Sequence, residues 1–319
     1  MRIPTMTDVL RARTLIDPIL PRTPMWPYPA LTASTGVDVL VKHENTQPVG
    51  AFKVRGGLTL LGQMPTVERE CGVVGYSTGN HAQSLAYASS RFGAPCTIVM
   101  PTNPNSAKAN AVRALGAELV EFGTTLEDAR ECAEKLARER GARLVSAANE
   151  PELITGVGTL YLEVFEQAPD LDAVIVPVGG GSGAAAACVV ADAVAPDCEI
   201  VAVQSAASPA AHDSWRAGEV VHRPNQTVVE GLATGTGFEL TQHIMRERLA
   251  DFVLVDDDAI AEAQWLLLRD AHTLAEGAGA SALAALLANA ERFTGKRVAV
   301  ICTGANASER ELRTMSGMP

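Results

Sequence analysis

The 319-residue chain predicts an α/β protein built from two doubly wound, parallel-sheet domains. Three observations carry that prediction. Short apolar runs alternate with helix-like stretches along most of the sequence, the pattern of strand–helix–strand units with right-handed crossovers. Several helix-like stretches stop at a glycine, as in Phe92-Gly93, Leu115-Gly116 and Arg140-Gly141. The alternation breaks at Asn149-Glu150-Pro151, which divides the chain into a small α/β domain over 71–148 and a larger domain formed by 1–70 with 149–319.

The elements follow in order. Thr7 to Ile16 reads as a helix, and a proline-rich connection runs on to Pro29. Val37 to Lys42 reads as a strand and Val54 to Met64 as a helix, which places Lys53 at a loop-to-helix junction. Next come strands at Val73–Tyr76, Thr97–Met100, Leu119–Phe122 and Arg143–Val145. Between them the pattern predicts helices over Asn80–Phe92, Ser106–Leu115 and Leu126–Arg140. The last of these has Thr125 and Asp128 spaced as a capping box. Beyond the break, a helix near Tyr161–Gln167 precedes strands at Ala173–Val178, Ile200–Val203, Phe252–Val255 and Val298–Cys302. Asp256 to Asp258 are expected to cap a helix over Ala259–Leu268, and Gly277 and Gly279 introduce an alanine-rich helix.

Composition narrows the function classes. A net charge of -11, with dispersed acids, argues against nucleic acid, whose phosphates draw affinity from clustered Lys and Arg. The Met1–Asp8 start lacks a signal-peptide core, and the most apolar segment, Gly183 to Ala195, is too short to span a bilayer and contains Asp192. Six scattered cysteines without a C-x-x-C pair fit reduced thiols in a cytoplasmic protein. No two of the six histidines share metal-ligand spacing, so no metal is expected.

Four places combine turn glycines with polar side chains just after a predicted strand. They are Pro48 to Gly57 around Lys53, Ser77-Thr78-Gly79-Asn80-His81, Gly179-Gly180-Gly181-Ser182-Gly183, and Thr303-Gly304-Ala305-Asn306. Ligands of open α/β sheets sit at the carboxyl ends of the strands, so the four can converge on one site. A lysine among small and apolar residues is drawn toward the neutral, nucleophilic amine. Taken alone, it also reads as a surface lysine at a helix start. The glycine loop turns backbone N–H groups toward an anion at a helix N-terminus, which suits a phosphate. A dinucleotide fingerprint is the rival reading of Gly179, Gly181 and Ala184, but the next strand ends in Gln204 instead of the acid that would hold a ribose.

Together these stretches resemble the fold type II pyridoxal-phosphate enzymes, the tryptophan synthase β-like group, and most closely its serine/threonine ammonia-lyases (threonine dehydratases) and serine racemases. The resemblance runs from about Pro24 to Asn306. It implies a pyridoxal 5'-phosphate cofactor in the cleft between the two domains, carried by Lys53 with Phe52 beside it. Asn80 would contact the ring hydroxyl, Gly179, Gly180, Gly181, Ser182 and Gly183 the phosphate, and Thr303 the ring nitrogen. Ser77, Thr78, Gly79 and His81 would take the substrate carboxylate. A homodimer acting on a small amino acid is also implied.

A neutral Thr303 facing the ring nitrogen makes a weaker electron sink than an aspartate would. This favours quick loss of a β-substituent, hence α,β-elimination of a β-hydroxy amino acid such as L-threonine or L-serine to a 2-oxo acid and ammonia. Lys53 would be the base that removes the Cα proton. Thr78 stands where serine racemases of this group carry serine and many threonine ammonia-lyases alanine, so it keeps a hydroxyl on the opposite face and leaves racemisation as an alternative. β-Replacement is the second alternative, disfavoured by His81, and a non-catalytic binding subunit the third, disfavoured by Lys53. In metal-dependent relatives a Glu-Pro begins the metal loop; here the residues are Gln204-Ser205, again predicting no ion. The short sequence after Asn306 gives no expectation of an appended regulatory domain.

Overall fold

Strands run parallel throughout both sheets except at one edge, and the order of the strands decides where the four motifs meet. The structure is a computed structural model that describes residues 2–317. Helix α1 (Met6–Ile16) starts at Thr5, whose hydroxyl accepts the Asp8 N–H while the Asp8 carboxylate accepts the Thr5 N–H. Strand β1 (Met25–Pro27) and helix α2 (Pro29–Thr35) lead to β2 (Asp38–His43), followed by α3 (Lys53–Gln63) and α4 (Thr66–Cys71). Strands β3 (Val73–Tyr76), β4 (Cys96–Met100), β5 (Glu118–Glu121) and β6 (Arg143–Val145) alternate with α5 (Asn80–Phe92), α6 (Ser106–Ala114) and α7 (Leu126–Arg140). Helix α8 (Pro151–Gln167) then precedes β7 (Ala173–Pro177), α9 (Ser182–Val194), β8 (Glu199–Ser205), α10 (Ala210–Ala217) and α11 (Glu239–Arg248). The chain closes with β9 (Asp251–Val255), α12 (Asp257–Asp270), α13 (Gly277–Ala288), β10 (Arg297–Cys302) and α14 (Glu309–Ser316).

Six strands form one sheet in the order β1-β2-β10-β7-β8-β9, with only the β1–β2 pair antiparallel. The pleat divides its apolar residues between two cores. Val174, Val176, Ile200, Ala202 and Ile301 face α8, α9 and α11. Ala173, Ile175, Val201, Val203, Val298 and Val300 face α12 and α13. The second sheet, β5-β4-β3-β6, is all parallel. Val73, Ile98, Met100 and Val145 pack there on α3 and α5, and Val74 and Val99 pack on Ala129, Ala133 and Ala137 of α7. Among the described residues no helix is long and apolar enough to cross a membrane.

Three differences from the sequence reading have physical causes. Helix α8 begins at Pro151, nearly three turns before the predicted segment, because its poor helix formers sit where the helix is most tightly packed. A Cβ on Gly156 would come within 2.3 Å of the Arg55 carbonyl of α3, and one on Gly158 within 2.7 Å of Val9 of α1. At α12, Asp256 occupies the cap position without a side-chain capping bond. Asp257 is instead a loop tie, accepting from Ser205 Oγ (2.5 Å), Thr227 Oγ1 (2.8 Å) and the Val228 N–H (3.0 Å). The proline-rich stretch read as connection holds β1 and α2, since a proline is tolerated on an edge strand and at the first turn of a helix. The six cysteines are all free, and four of them are buried.

Candidate active site

The four motifs come together at one cleft, of about 220 Å³, between the carboxyl ends of the two sheets. Every residue singled out from the sequence lines it: Phe52 and Lys53, Ser77 to His81, Gly179 to Gly183, and Thr303. The convergence follows from strand order. Strands β7 and β10 are neighbours at the centre of the larger sheet, so the glycine loop and Thr303 emerge side by side.

Lys53 is fixed by backbone zipping to the end of β10. The Phe52 N–H donates to the Thr303 carbonyl (3.0 Å), the Ala305 N–H to the Gly50 carbonyl (2.8 Å), and the Asn306 side chain to the Val49 carbonyl (2.8 Å). Gly50 takes φ +66° under the Asn306 amide. From the first turn of α3, Lys53 Nζ donates to Ser182 Oγ (2.7 Å) and to the Ala147 carbonyl (3.3 Å), neither of them charged. Burial against these neutral partners pulls the ammonium down to about 8.

The glycine loop leads into α9 with Gly181 at φ +92°. A Cβ on Gly179 would lie 2.3 Å from the Gly231 carbonyl, and one on Gly181 2.9 Å from Thr241 Oγ1. The first-turn N–H groups of α9 have no partner within the helix and face the cleft with the positive end of its dipole.

Asn80 and His81 open α5. The Asn80 amide is held at both ends: its Nδ2 donates to Glu276 Oε1 (2.6 Å) and its Oδ1 accepts from Asn306 Nδ2 (2.7 Å). Asn80 so held lines the cleft. His81 is buried beside Lys53, which pulls its ring down to about 3 and keeps it neutral. Its Nε2 has no partner in the protein. The Gly79 N–H donates to Ser77 Oγ (3.2 Å), a bond that a substrate carboxylate would have to exchange.

Twelve lining residues lie outside the sequence-derived motifs, among them Tyr76, Lys108, Leu126, Glu230, Phe238 and Glu276. Glu276 is buried, which pushes its carboxyl up to about 7 against the Asn80 hydrogen bond. Its signal in the sequence is the same as that of Lys53, a charged residue set directly against a run of small ones, Gly277-Ala278-Gly279. At Gln204 the amide ties the first turn of α10 to the Thr234 loop, accepting the Ala211 and His212 N–H groups (both 3.1 Å) and donating to Thr234 Oγ1 (3.2 Å). Among the described residues no three His, Cys, Asp or Glu side chains cluster to hold a metal.

The pattern of the pyridoxal-phosphate-dependent enzyme family matches residues 16–304. The chain belongs to that family. It is 35% identical over 303 residues to an L-threonine ammonia-lyase of Thermotoga maritima, covering 95% of this chain and 75% of the relative. It is 34% identical over 307 residues to a beta-hydroxyaspartate dehydratase of Paracoccus denitrificans, covering 96% and 97%. Among solved structures, maize serine racemase superposes with a TM-score of 0.93 at 27% identity, over 99% of this chain and 97% of that one. The protein is thus a pyridoxal-phosphate-dependent lyase. Its cleft fits the cofactor: an amine without a charged partner, a glycine cradle at a helix N-terminus, and the orphaned His81 Nε2.

Proposed function

We propose that the protein catalyses α,β-elimination of a β-hydroxy amino acid, L-threonine or L-serine, releasing a 2-oxo acid and ammonia. The observation that carries this is Lys53, held down to about 8 by burial in a cleft that the neutral Thr303 also lines. Lys53 Nζ would hold the cofactor covalently, the N–H groups of Gly179 to Gly183 with the Ser182 hydroxyl its phosphate, and Asn80 its ring hydroxyl. Bound there, pyridoxal phosphate supplies an electron sink that acidifies the substrate Cα–H.

The chain's own residues do the rest. Ser77 and Thr78 hydroxyls and the N–H groups at the start of α5 receive the substrate carboxylate and orient the Cα–H bond toward Lys53. Lys53 Nζ, once released by the substrate amine, is neutral enough near pH 8 to take the Cα proton. Thr303 would offer a hydroxyl and no charge, so the electron pair at Cα would be relieved by loss of the β-hydroxyl, which leaves as water with the proton returned by Lys53; water then hydrolyses the released enamine to the 2-oxo acid and ammonia. The racemase alternative keeps one support, the Thr78 hydroxyl at the cleft.

The free thiols support a reducing cytoplasm, and the separate sheet of β3 to β6 supports a small domain over 71–148. The functional reading is tested by colour and trapping. Purified protein with added pyridoxal phosphate should absorb in the visible, and borohydride should leave a pyridoxyl group on Lys53, identified by peptide mass. A wild-type protein that stays colourless, or a label on another lysine, contradicts it.

A further inference from the structure

An ion pair closes across the cleft from its two sides. Lys108 stands in the first turn of α6, beside the smaller sheet, and Glu230 in a single 3-10 turn (Glu230–Leu232) on the side of the larger one. Both line the cleft. The Lys108 side chain is only 9% exposed and Glu230 43%, so the ammonium is the group that depends on the pairing. The other lysine of the lining, Lys53, is the cofactor's anchor, and His81 is neutral. The lining carboxylates are Glu230 and Glu276, and Leu126, Ala233 and Phe238 give it apolar surface.

A substrate side chain entering this cleft therefore meets no cation that lacks a carboxylate. A carboxyl group on the β-carbon would have to compete with Glu230 for Lys108 and leave two like charges side by side. A hydrogen or methyl in that place meets apolar surface without disturbing the pair.

We propose that the Lys108–Glu230 pair is the specificity determinant of this cleft, selecting β-hydroxy amino acids with an uncharged side chain and rejecting those with a β-carboxylate. The proposal rests on the elimination reading and narrows its substrate class. It assigns Glu230 the role of a counter-ion that withholds Lys108 from the substrate.

The holoenzyme is titrated with L-threonine, L-serine and L-threo-3-hydroxyaspartate. Affinity is read from the change in the cofactor absorption band and turnover from ammonia release. The wild type should bind and turn over the neutral pair in preference to hydroxyaspartate by at least about tenfold, the least expected from opposing like charges. Glu230→Gln should shift that ratio toward hydroxyaspartate by about tenfold, chiefly through KM, as a freed Lys108 pairs with the substrate. Adding Lys108→Met to Glu230→Gln should cancel the gain. A wild type that prefers hydroxyaspartate, or a ratio unmoved by Glu230→Gln, overturns the proposal. Absence of ammonia from every substrate would overturn the elimination reading instead, while the spectral titration would still decide the binding preference.

Discussion

Lys53 and Glu276 show how burial, above other influences, sets the chemistry of single side chains at this site. An ordinary lysine, near 10.5, would be almost wholly protonated at neutral pH; at about 8 a useful fraction is free amine. The rate of cofactor incorporation into cofactor-free protein should therefore rise with pH and level off above about 8, followed by the growth of visible absorbance. A rate still climbing steeply at pH 10 would place the amine in an ordinary environment. Glu276 is shifted the other way, from 4.5 to about 7, so the folded protein holds its proton more tightly than the unfolded chain does. The stability this contributes is full below about 4.5 and is lost as pH rises through about 7, a difference of order 3 kcal/mol. Glu276→Gln should remove that fall from the pH profile of urea unfolding of the cofactor-free protein; an unchanged profile would mean that Glu276 titrates normally. Lys53 is legible in the sequence because an ammonium among apolar residues is a local contrast. Glu276 carries a similar contrast, but its partner Asn80 is 196 positions away and no local pattern joins them.

At the scale of elements, the helix that presents Lys53 is held by a buried ionic network. Arg55, two residues beyond Lys53 in α3, donates two hydrogen bonds to Glu44 (both 2.8 Å), one to Glu163 of α8 (2.8 Å) and one to Thr159 (3.0 Å). Lys42 of β2 donates to Glu163 (2.7 Å), the Thr23 carbonyl (2.8 Å) and Gln167 (3.0 Å). Two cations thus balance two carboxylates in the interior, and α3, α8 and β2 are tied at fixed orientation. Arg55→Met leaves Glu44 without its cation and Glu163 with Lys42 alone, which should cost about 3–5 kcal/mol in urea unfolding and lower cofactor occupancy. A loss below about 1 kcal/mol would mean that the network is dispensable. Hydrophobic periodicity cannot see such a network, since it reads a charged residue as solvent-facing. The same blindness shortens α8 in the sequence reading: its glycines and threonines, poor helix formers, are the positions where α3 and α1 approach most closely.

For the whole molecule, the legible part is the set of strand ends. Lys53, Ser77, Gly179 and Thr303 each follow a strand, and parallel topology obliges the carboxyl ends of one sheet to share an edge. The meeting of the two sheets is less legible, because it is made by α3 packing beneath the smaller sheet and by side chains such as Lys108 and Glu230 reaching across. In the proposed function this assembled cleft turns a β-hydroxy amino acid into a 2-oxo acid and ammonia with Lys53 as the base. The most direct measurement follows both products and the enantiomeric composition of residual L-threonine or L-serine, for wild type and Lys53→Ala. The wild type should give equimolar 2-oxo acid and ammonia, with L substrate remaining L, and Lys53→Ala should give no detectable products. Accumulation of D amino acid without ammonia, or undiminished elimination by Lys53→Ala, would contradict it.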